Sequence, residues 1–480
     1  MARQAASDNV TSSFMHTRRF VHRLIMLAPL VGLVAGLLAA RPASAVVSLD
    51  VDHPDGSPAL FSDGMILQRD LPAPVYGTAA VGEQVTVTLD GQQKIAVAGP
   101  DGTWGIAFDP MPAGGPFVMT VQGASNTIFV NEVRIGEVWV AAGQSNMRRQ
   151  RVKRFDLEDN PSIRTLRKRD WEDRPGINPW KFALNLQAAL GGIPIGILNL
   201  AVGGSRSTLW LGQSAASDPD PELQQYLKLR WGRLYSKYAS PVQPYRVRGI
   251  MWWQGESDRK RTARHRTVFE PLIRSWRNEW GYGNIPWISM QIPTGRGLKL
   301  GVAPDSLPPN PSASDDNAFM RHTFLRSLEA FPLTSVISSL DLDGGIHPVD
   351  TDAYSKRMSD QALALVYGHH IPYSGPLYAS MAIEGSSIRI SYRDKTADGL
   401  VAQGGPLQGF AITEDLVTWH WADAQIEVDE VVVSSAQAPN PIAVRYAWAN
   451  RPTWANLFNG AGLTAVPFST DTTPGQWGGP

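Results

Sequence analysis

Short, almost wholly apolar segments alternate with longer segments of helical periodicity between residues 132 and 367. Strands that are apolar on both faces are typical of a parallel sheet covered by helices on both sides. The alternation therefore predicts an α/β domain. The predicted strands are 138–142, 193–202, 249–253, 287–292 and 333–340. The predicted helices are 181–190, 268–280, 318–328 and 352–366, the last of them ending at Gly368.

The segments on either side of this region have strand periodicity instead. Residues 84–89 alternate between polar and apolar and lead into Asp90-Gly91, a dipeptide typical of tight hairpin turns. Residues 388–392 alternate in the same way. A chain of 480 residues is long enough for two or three domains. We predict an N-terminal β domain over 46–131, the α/β domain over 132–370 and a C-terminal β region over 371–480.

The first 45 residues are typical of an export signal. Arg18, Arg19 and Arg23 precede an apolar run over 24–40, and the Ala-Ser-Ala sequence at 43–45 matches a small-residue cleavage site. The apolar run is short for a membrane span. We therefore predict a signal peptide over 1–45 and an exported protein, periplasmic or secreted, with no stable membrane anchor after cleavage.

Charge and motif content argue against several classes of function. The 44 Lys and Arg residues balance the 44 Asp and Glu residues, so no net charge attracts the protein to nucleic acid, and no nucleic-acid partner is expected. No H-E-x-x-H or H-x-x-E-H motif occurs, and no metal or other cofactor is expected. The G-x-S-x-G motif of α/β-hydrolases is also absent.

Polar clusters follow four of the predicted strands at their carboxyl ends, where open parallel sheets bind ligands. Together they contain a hydroxyl, a histidine, carboxylates, an amide and glycines that expose backbone N–H groups. These are the groups that acyl transfer requires. The clusters are Gly-Gln-Ser-Asn-Met at 143–147, Gly-Gly-Ser at 203–205, Gln-Gly-Glu-Ser-Asp at 254–258 and Asp-Leu-Asp-Gly-Gly-Ile-His-Pro at 341–348.

In this order, the motifs resemble those of the sialate O-acetylesterase family of SGNH (GDSL-like) hydrolases. The resemblance rests on residues 60–69, 136–147, 252–258 and 346–348 and extends to the tail at 443–448. It implies an SGNH-hydrolase domain with a flavodoxin-like parallel sheet, flanked by N- and C-terminal β-sandwich regions. It also implies a serine esterase that hydrolyses O-acetyl esters of sugars through an acyl-enzyme, with an acetylated carbohydrate as substrate.

The resemblance also implies roles for individual residues. Ser145 is the nucleophile, and His347 is the base that accepts its proton. The oxyanion hole consists of the backbone N–H groups of Ser145 and Gly204 and the side chain of Gln254. Two other residues of the third cluster, at 256 and 258, are expected to hold loops rather than to perform chemistry.

The sequence departs from the family pattern at the acid. The family usually places this carboxylate three residues before the histidine, where this chain has Gly344. Asp343 is the closest alternative and the one we favour, because the glycines that follow it allow unusual backbone conformations. Asp341, or a Ser–His pair without an acid, remain alternatives.

A second departure follows the nucleophile. Arg148 replaces a commonly acidic residue and begins a basic run that includes Arg149. The run is either a solvated loop or an anion subsite in which Arg148 and Arg149 bind a substrate carboxylate.

Two alternatives to a sialate O-acetylesterase stay open at this point. Acetylated xylan, mannan or pectin could be the substrate, since the motifs do not distinguish among acetylated sugars. A non-catalytic sugar-binding protein with a degenerate site is the other alternative, and the missing residue at the usual acid position is its only support.

Overall fold

The computed structural model describes residues 46–49, 60–148, 160–167, 170–172, 176–228, 230–293, 303–311, 316–342, 345–348 and 351–471. The predicted export signal over 1–45 and residues 472–480 lie outside these ranges. All described residues belong to one unit, Ser44–Pro480.

The N-terminal part of this unit consists of strands, as the alternating pattern predicts. Its strands are β1 (Ser48–Leu49), β2 (Ile66–Gln68), β3 (Ala73–Thr78), β4 (Gln84–Leu89), β5 (Gln92–Val97), β6 (Thr103–Phe108), β7 (Gly114–Gln122) and β8 (Thr127–Gly143). The β4–β5 hairpin turns at Asp90 and Gly91, where φ is 45° and 73°. Positive φ at both positions is the geometry of a type I′ turn, which confirms the predicted hairpin.

Strand β8 is 17 residues long and belongs to both the N-terminal strands and the central sheet. Its first half pairs with β7, and its second half pairs with strands of the central domain. Within β8, the side chain of Glu137 is fully buried and accepts hydrogen bonds from Arg69 (2.6 Å), Arg248 (2.7 Å) and Gln68 (3.0 Å). The predicted boundary between residues 131 and 132 therefore falls inside a continuous strand.

The central domain contains a parallel sheet. Its remaining strands are β9 (Ile163–Arg167), β10 (Asp170–Glu172), β11 (Ile195–Asn199), β12 (Gly249–Trp253), β13 (Trp287–Met290) and β14 (Thr334–Ile337). They are arranged in the order β10-β9-β11-β8-β12-β13-β14, and every neighbouring pair is parallel except β10 with β9. Without the β9–β10 edge, this order is the 2-1-3-4-5 arrangement of flavodoxin-like folds, whose ligand site lies beside the first strand.

Helices cover both faces of this sheet, as the apolar strands predict. The helices are α1 (Ile177–Ala189), α2 (Pro221–Leu227), α3 (Thr262–Trp280), α4 (Asp316–Ala330) and α5 (Asp352–Tyr367). Helices α1 and α5 pack in the hydrophobic cluster on one face, and α3 packs in the cluster on the other. Gly368 caps α5 with φ of 69°, which confirms its predicted end.

Tryptophans fill the core between α3 and the sheet. Trp252 of β12 and Trp276 of α3 lie 6.2 Å apart in a T-shaped contact. Trp210 and Trp287 extend this group with ring centroids 6.1 Å and 5.4 Å from Trp252. All four side chains are buried. These tryptophans therefore stabilise the domain and are not available to stack on a sugar.

The C-terminal part returns to β structure, as predicted. Its strands are β15 (Tyr378–Glu384), β16 (Ser387–Tyr392), β17 (Val401–Ala402), β18 (Phe410–Thr413), β19 (His420–Trp421), β20 (Asp423–Glu427), β21 (Glu430–Ser434), β22 (Ala443–Tyr446), β23 (Leu457–Phe458) and β24 (Phe468–Ser469). They form small sheets, β15-β16-β21-β20, β19-β18-β22-β24 and β17-β23. The flanking strands are therefore present, while their arrangement as sandwiches stays a prediction.

One buried arginine joins the C-terminal part to the central domain. Arg321 of α4 is inaccessible to solvent and donates to the carbonyls of Ala449 (2.9 Å), Asn450 (3.1 Å) and Ile292 (3.3 Å). Because these carbonyls come from both parts, the guanidinium fixes them against each other. In the part of the chain that the structure describes, no helix has both the length and the apolar character needed to cross a membrane.

Candidate active site

Residues 143–147, which contain the predicted nucleophile and are called the nucleophile cluster below, begin where β8 ends beside β12. Gly143 pairs with Trp253, and its φ is 115°. A Cβ atom at residue 143 would lie 2.2 Å from the Trp253 carbonyl oxygen, so only glycine fits here. The chain then turns sharply, because Met147 and Arg148 both donate their N–H groups to the Gln144 carbonyl, at 3.0 Å and 3.1 Å. This turn places Ser145 directly beyond the carboxyl end of the strand.

Ser145 and His347 form a hydrogen-bonded pair. The distance between Ser145 Oγ and His347 Nε2 is 2.7 Å, although the two residues are 202 positions apart in the chain. Ser145 is half-buried, and His347 is exposed. For Nε2 to accept the serine proton, the neutral imidazole must carry its own proton on Nδ1. The geometry is that of an activated serine whose base faces solvent.

Of the two candidates for the acid, the structure describes Asp341 and not Asp343. Asp343 lies outside the described residues. Asp341 forms a bidentate ion pair with Arg357, with oxygen–nitrogen distances of 2.8 Å and 2.6 Å. Both side chains are largely buried. A carboxylate held in this way already satisfies a guanidinium. Asp341 is therefore engaged elsewhere, and Asp343 stays the predicted acid.

A glycine-containing loop passes beside the nucleophile. We call residues 203–207 the glycine loop and residues 345–348 the histidine loop. A Cβ atom at Gly203 would lie 3.9 Å from Ser145 Cβ, and Gly204 is exposed with φ of 69°. Among the described residues, neither the Ser145 N–H nor the Gly204 N–H has a hydrogen-bond acceptor. Two of the predicted oxyanion donors are therefore free beside Ser145.

The third predicted donor, Gln254, is committed to other partners. Its side chain is fully buried, and its Nε2 donates to Asp258 Oδ2 at 2.7 Å and to the Ser205 carbonyl at 3.1 Å. An amide nitrogen has only two N–H groups, so none is left for an oxyanion in this conformation. Asp258 Oδ2 also accepts the Ser207 N–H at 2.7 Å. Gln254 and Asp258 thus hold the glycine loop.

A buried asparagine that has no predicted role links the nucleophile cluster to the histidine loop. Asn146 Nδ2 donates to Glu256 Oε1 at 3.1 Å and to the Ile346 carbonyl at 3.0 Å. Burial raises the pKa of the Glu256 carboxyl to about 7. The one sequence signal for such a role is that Asn146 directly follows Ser145 in the 143–147 motif.

The first residue of the basic run lies at the edge of the site. Arg148 is exposed, and its Nη1 atom is 3.8 Å from the place that a Gly203 Cβ would occupy. No described carboxylate pairs with it. The guanidinium is thus beside the glycine loop. Arg149, the second candidate, lies outside the described residues.

The described histidines and carboxylates do not form a metal site. No group of three His, Asp or Glu side chains in the described ranges is placed to hold a metal ion. Two histidines, His265 and His322, are buried, and burial lowers their pKa values to about 4 and about 3. They lie in separate surroundings, His265 against Phe269 and His322 against Trp448.

Comparisons with known proteins agree with this geometry. Residues 135–303 match the family described as carbohydrate esterase, sialic acid-specific acetylesterase. Human sialate O-acetylesterase is 26% identical over 420 residues, which cover 73% of this chain and 78% of the human protein. The mouse sialate O-acetylesterase is 24% identical over 486 residues, which cover 81% of this chain and 88% of the mouse protein.

The crystal structure of a carbohydrate acetylesterase from Xanthomonas citri is also similar. It superposes with a TM-score of 0.74 at 28% identity and covers 89% of this chain and 100% of the bacterial one. The matched family region contains the nucleophile cluster, the glycine loop and the Gln254–Asp258 cluster. The histidine loop lies outside that region. Residues 135–303 of this chain are therefore similar to the carbohydrate esterase domain of the sialic acid-specific acetylesterases, and the chain is a carboxylic ester hydrolase similar to the sialate O-acetylesterases.

Proposed function

We propose that this protein is a serine esterase that removes O-acetyl groups from sugars through an acyl-enzyme on Ser145. The observation that carries the proposal is the 2.7 Å hydrogen bond between Ser145 Oγ and His347 Nε2. It lies at the switch point of the parallel sheet, where such folds bind ligands. The names of the related proteins, sialate O-acetylesterase and carbohydrate acetylesterase, supply the substrate class.

The proposed reaction proceeds in two steps. Ser145 Oγ attacks the acetyl carbonyl carbon while His347 Nε2 takes its proton, and His347 then protonates the departing sugar oxygen as the ester bond breaks. Water next attacks the acetyl carbonyl of acetyl-serine while giving a proton to His347, and His347 returns that proton to Ser145 Oγ as the ester bond breaks and acetate leaves. The free N–H groups of Ser145 and Gly204 stabilise the negative oxygen in both steps.

Asp343 completes this mechanism as the proposed acid. It would accept a hydrogen bond from the Nδ1–H group of His347 and stabilise the imidazolium that forms in each step. The Arg357 ion pair of Asp341 supports Asp343 over Asp341, because it engages the Asp341 carboxylate.

An acetylated sialic acid is the proposed substrate within this class. A sialic acid carries a carboxylate, and the exposed Arg148 guanidinium beside the glycine loop could bind it with two hydrogen bonds. Arg149 is proposed to assist it. The xylose and mannose units of acetylated xylan and mannan are neutral and would gain nothing from these residues.

The test is to compare the wild type with Ser145→Ala on an aryl acetate and on natural substrates. We expect kcat to fall about 10³-fold or more while folding is preserved, and a serine-reactive phosphonate to label Ser145 alone. Near-normal turnover by Ser145→Ala would disprove the proposal. Rates on 9-O-acetyl sialic acid, acetylated xylan, mannan and pectin then identify the sugar. A preference for a neutral polymer would exclude acetylated sialic acid as the substrate.

A further inference from the structure

The histidine loop is exposed, yet its base is placed within hydrogen-bonding distance of Ser145. Gly345, Ile346 and His347 all face solvent. Ile346 has 51% of its surface accessible and Pro348 is the buried residue of the loop, so apolar packing does little to hold residues 345–347. Among the described residues, the polar contacts of the loop are the Ser145–His347 bond and the bond from Asn146 to the Ile346 carbonyl.

Asn146 is built to hold a single orientation. Its side chain is fully buried, and the two N–H groups of Nδ2 are directed to Ile346 O and Glu256 Oε1. Its own carbonyl accepts a hydrogen bond from the buried Asn178 Nδ2 at 2.8 Å. Asn178 in turn accepts one from Ser355 of α5 at 3.3 Å. The backbone of Asn146 is thus fixed, and the remaining freedom of its side chain is the rotation of the amide group.

Glu256 removes that remaining freedom. Glu256 Oε1 accepts this hydrogen bond whether the carboxyl is ionised or carries its proton on Oε2, so it requires the nitrogen of Asn146 to face it. The same rotation then directs the second N–H toward Ile346 O. The Glu256 carboxyl is itself placed by its short loop after β12, in which Ser257 N–H donates to Gln144 Oε1 at 3.4 Å.

We propose that Glu256 is a positioning residue for the reaction: through Asn146 it holds the Ile346 carbonyl and so keeps His347 Nε2 directed at Ser145 Oγ. This inference depends on the proposed function, because it assigns His347 as the base. Among the described residues, Glu256 forms no hydrogen bond with Ser145 or His347 and accepts one from Asn146. It acts by fixing the orientation of the base, and a misplacement of about 1 Å can cost about 10²-fold in rate.

The experiment compares Glu256→Ala, Glu256→Gln and Asn146→Ala on an aryl acetate, with kcat normalised to the phosphonate-reactive serine. Glu256→Ala and Asn146→Ala should each lower kcat by about 10²-fold and leave KM within about twofold. Glu256→Gln keeps an acceptor oxygen for Asn146 and should restore most of the activity. The double variant Asn146→Ala/Glu256→Ala should be no worse than either single one, because both break the same chain of bonds.

A matched control is Glu279→Ala. Glu279 is another part-buried glutamate that anchors a loop, accepting hydrogen bonds from Ser214 and Gln243. It should lower Tm but not the normalised kcat. A normalised kcat of Glu256→Ala equal to that of wild type, or losses that multiply in the double variant, would overturn the inference. If Glu256→Ala fails to fold, Asn146→Ala and Glu256→Gln still decide it. A fully active Ser145→Ala would instead overturn the proposed function.

Discussion

The two loops that meet at Ser145 are held in different ways. The glycine loop is tied by buried partners: Asp258 holds Ser207, Gln254 holds Ser205, and Ser205 Oγ donates to the Gly143 carbonyl at 3.1 Å. The histidine loop is exposed from 345 to 347, and among the described residues the Asn146 side chain is the buried polar group that bonds to it.

This difference follows from what each loop is proposed to do. Oxyanion donors act through fixed geometry, because their dipoles must be oriented before charge develops. A base must reach both the nucleophile and the leaving oxygen of a substrate that arrives from solvent. Loss of a residue that supports the glycine loop should therefore lower the free energy of unfolding. Loss of a residue that supports the histidine loop should lower kcat alone.

The largest effect is expected on the histidine side. His347→Ala removes the base, so kcat on an aryl acetate should fall about 10³-fold or more with Tm unchanged. Because His347 is exposed, added imidazole should reach the empty position and restore part of the rate. Steady-state kinetics with and without imidazole measure both effects. Unchanged turnover would show that Ser145 uses another base.

The acid gives the next largest effect and separates two aspartates of the same segment. Asp343→Asn should lower kcat about 10²-fold or more, since the imidazolium loses its partner. Asp341→Asn should instead leave Arg357 without its carboxylate and lower the free energy of unfolding by about 3 kcal/mol. Kinetics and denaturant unfolding on both variants measure this. If neither change lowers kcat more than a few-fold, His347 works without a charged partner.

The glycine side should respond differently to Gln254→Ala. The change leaves the Ser205 carbonyl without its donor and removes one bond from Asp258, so unfolding should become easier by about 1–3 kcal/mol. Since the loop that carries Gly204 loosens, kcat should fall as well. Thermal unfolding and kinetics on one preparation show whether the two move together. A loss of 10²-fold or more in kcat with unchanged Tm would make Gln254 a direct oxyanion donor.

Acid should weaken the protein through His265, which lies in the field of Asp258. Burial lowers the pKa of His265 to about 4, below its ordinary value of about 6.5. The unfolded chain therefore binds more protons between these values, and the free energy of unfolding should fall as pH drops from about 6.5 to 4. His265→Phe, which suits the neighbouring Phe269 and Phe324, should flatten this slope. Urea unfolding across this range measures it, and an identical slope in the variant would contradict the assignment.

The smallest effect concerns Arg148, which belongs to neither support. Arg148→Ala should raise KM several-fold for an acetylated sialic acid and leave KM for a neutral acetylated sugar unchanged. The effect should shrink with added salt, because exposed ion pairs are screened. Lys181→Ala is a control for loss of a cation elsewhere, since Lys181 pairs with Asp352. Equal effects of Arg148→Ala on both substrates would make the basic run a solvated loop.

The sequence predicts the central strands of the sheet better than its edge strands. The apolar strand segments locate the sheet because burial on both faces leaves a continuous apolar run; β12 has the predicted bounds, and β11, β13 and β14 are shorter than predicted. The pair β9–β10 went unrecognised, because charged residues interrupt its pattern at the sheet edge. Edge strands need less apolar surface and give a weaker signal.

The site divides in the same way. The motifs around Ser145 and His347 predict a nucleophile and a base, and the structure brings the two side chains together. The bonds of Gln254 could not be predicted, because an amide beside a strand end can face the site or the interior, and only packing decides which. The partner of Asp341 was equally hidden, since Arg357 lies 16 residues later on a helix face.

Strand β8 limits how this protein can be recombined with its relatives. It is the single piece of backbone that passes from the N-terminal strands to the nucleophile, and β2, β7, β11 and β12 all take their register from it. One inserted or deleted residue would turn alternate side chains to the opposite face and shift Ser145 by about 3.3 Å. A chimaera should therefore exchange residues 60–148 as one block. A crossover at residue 131 would not fix the number of β8 residues that precede Ser145.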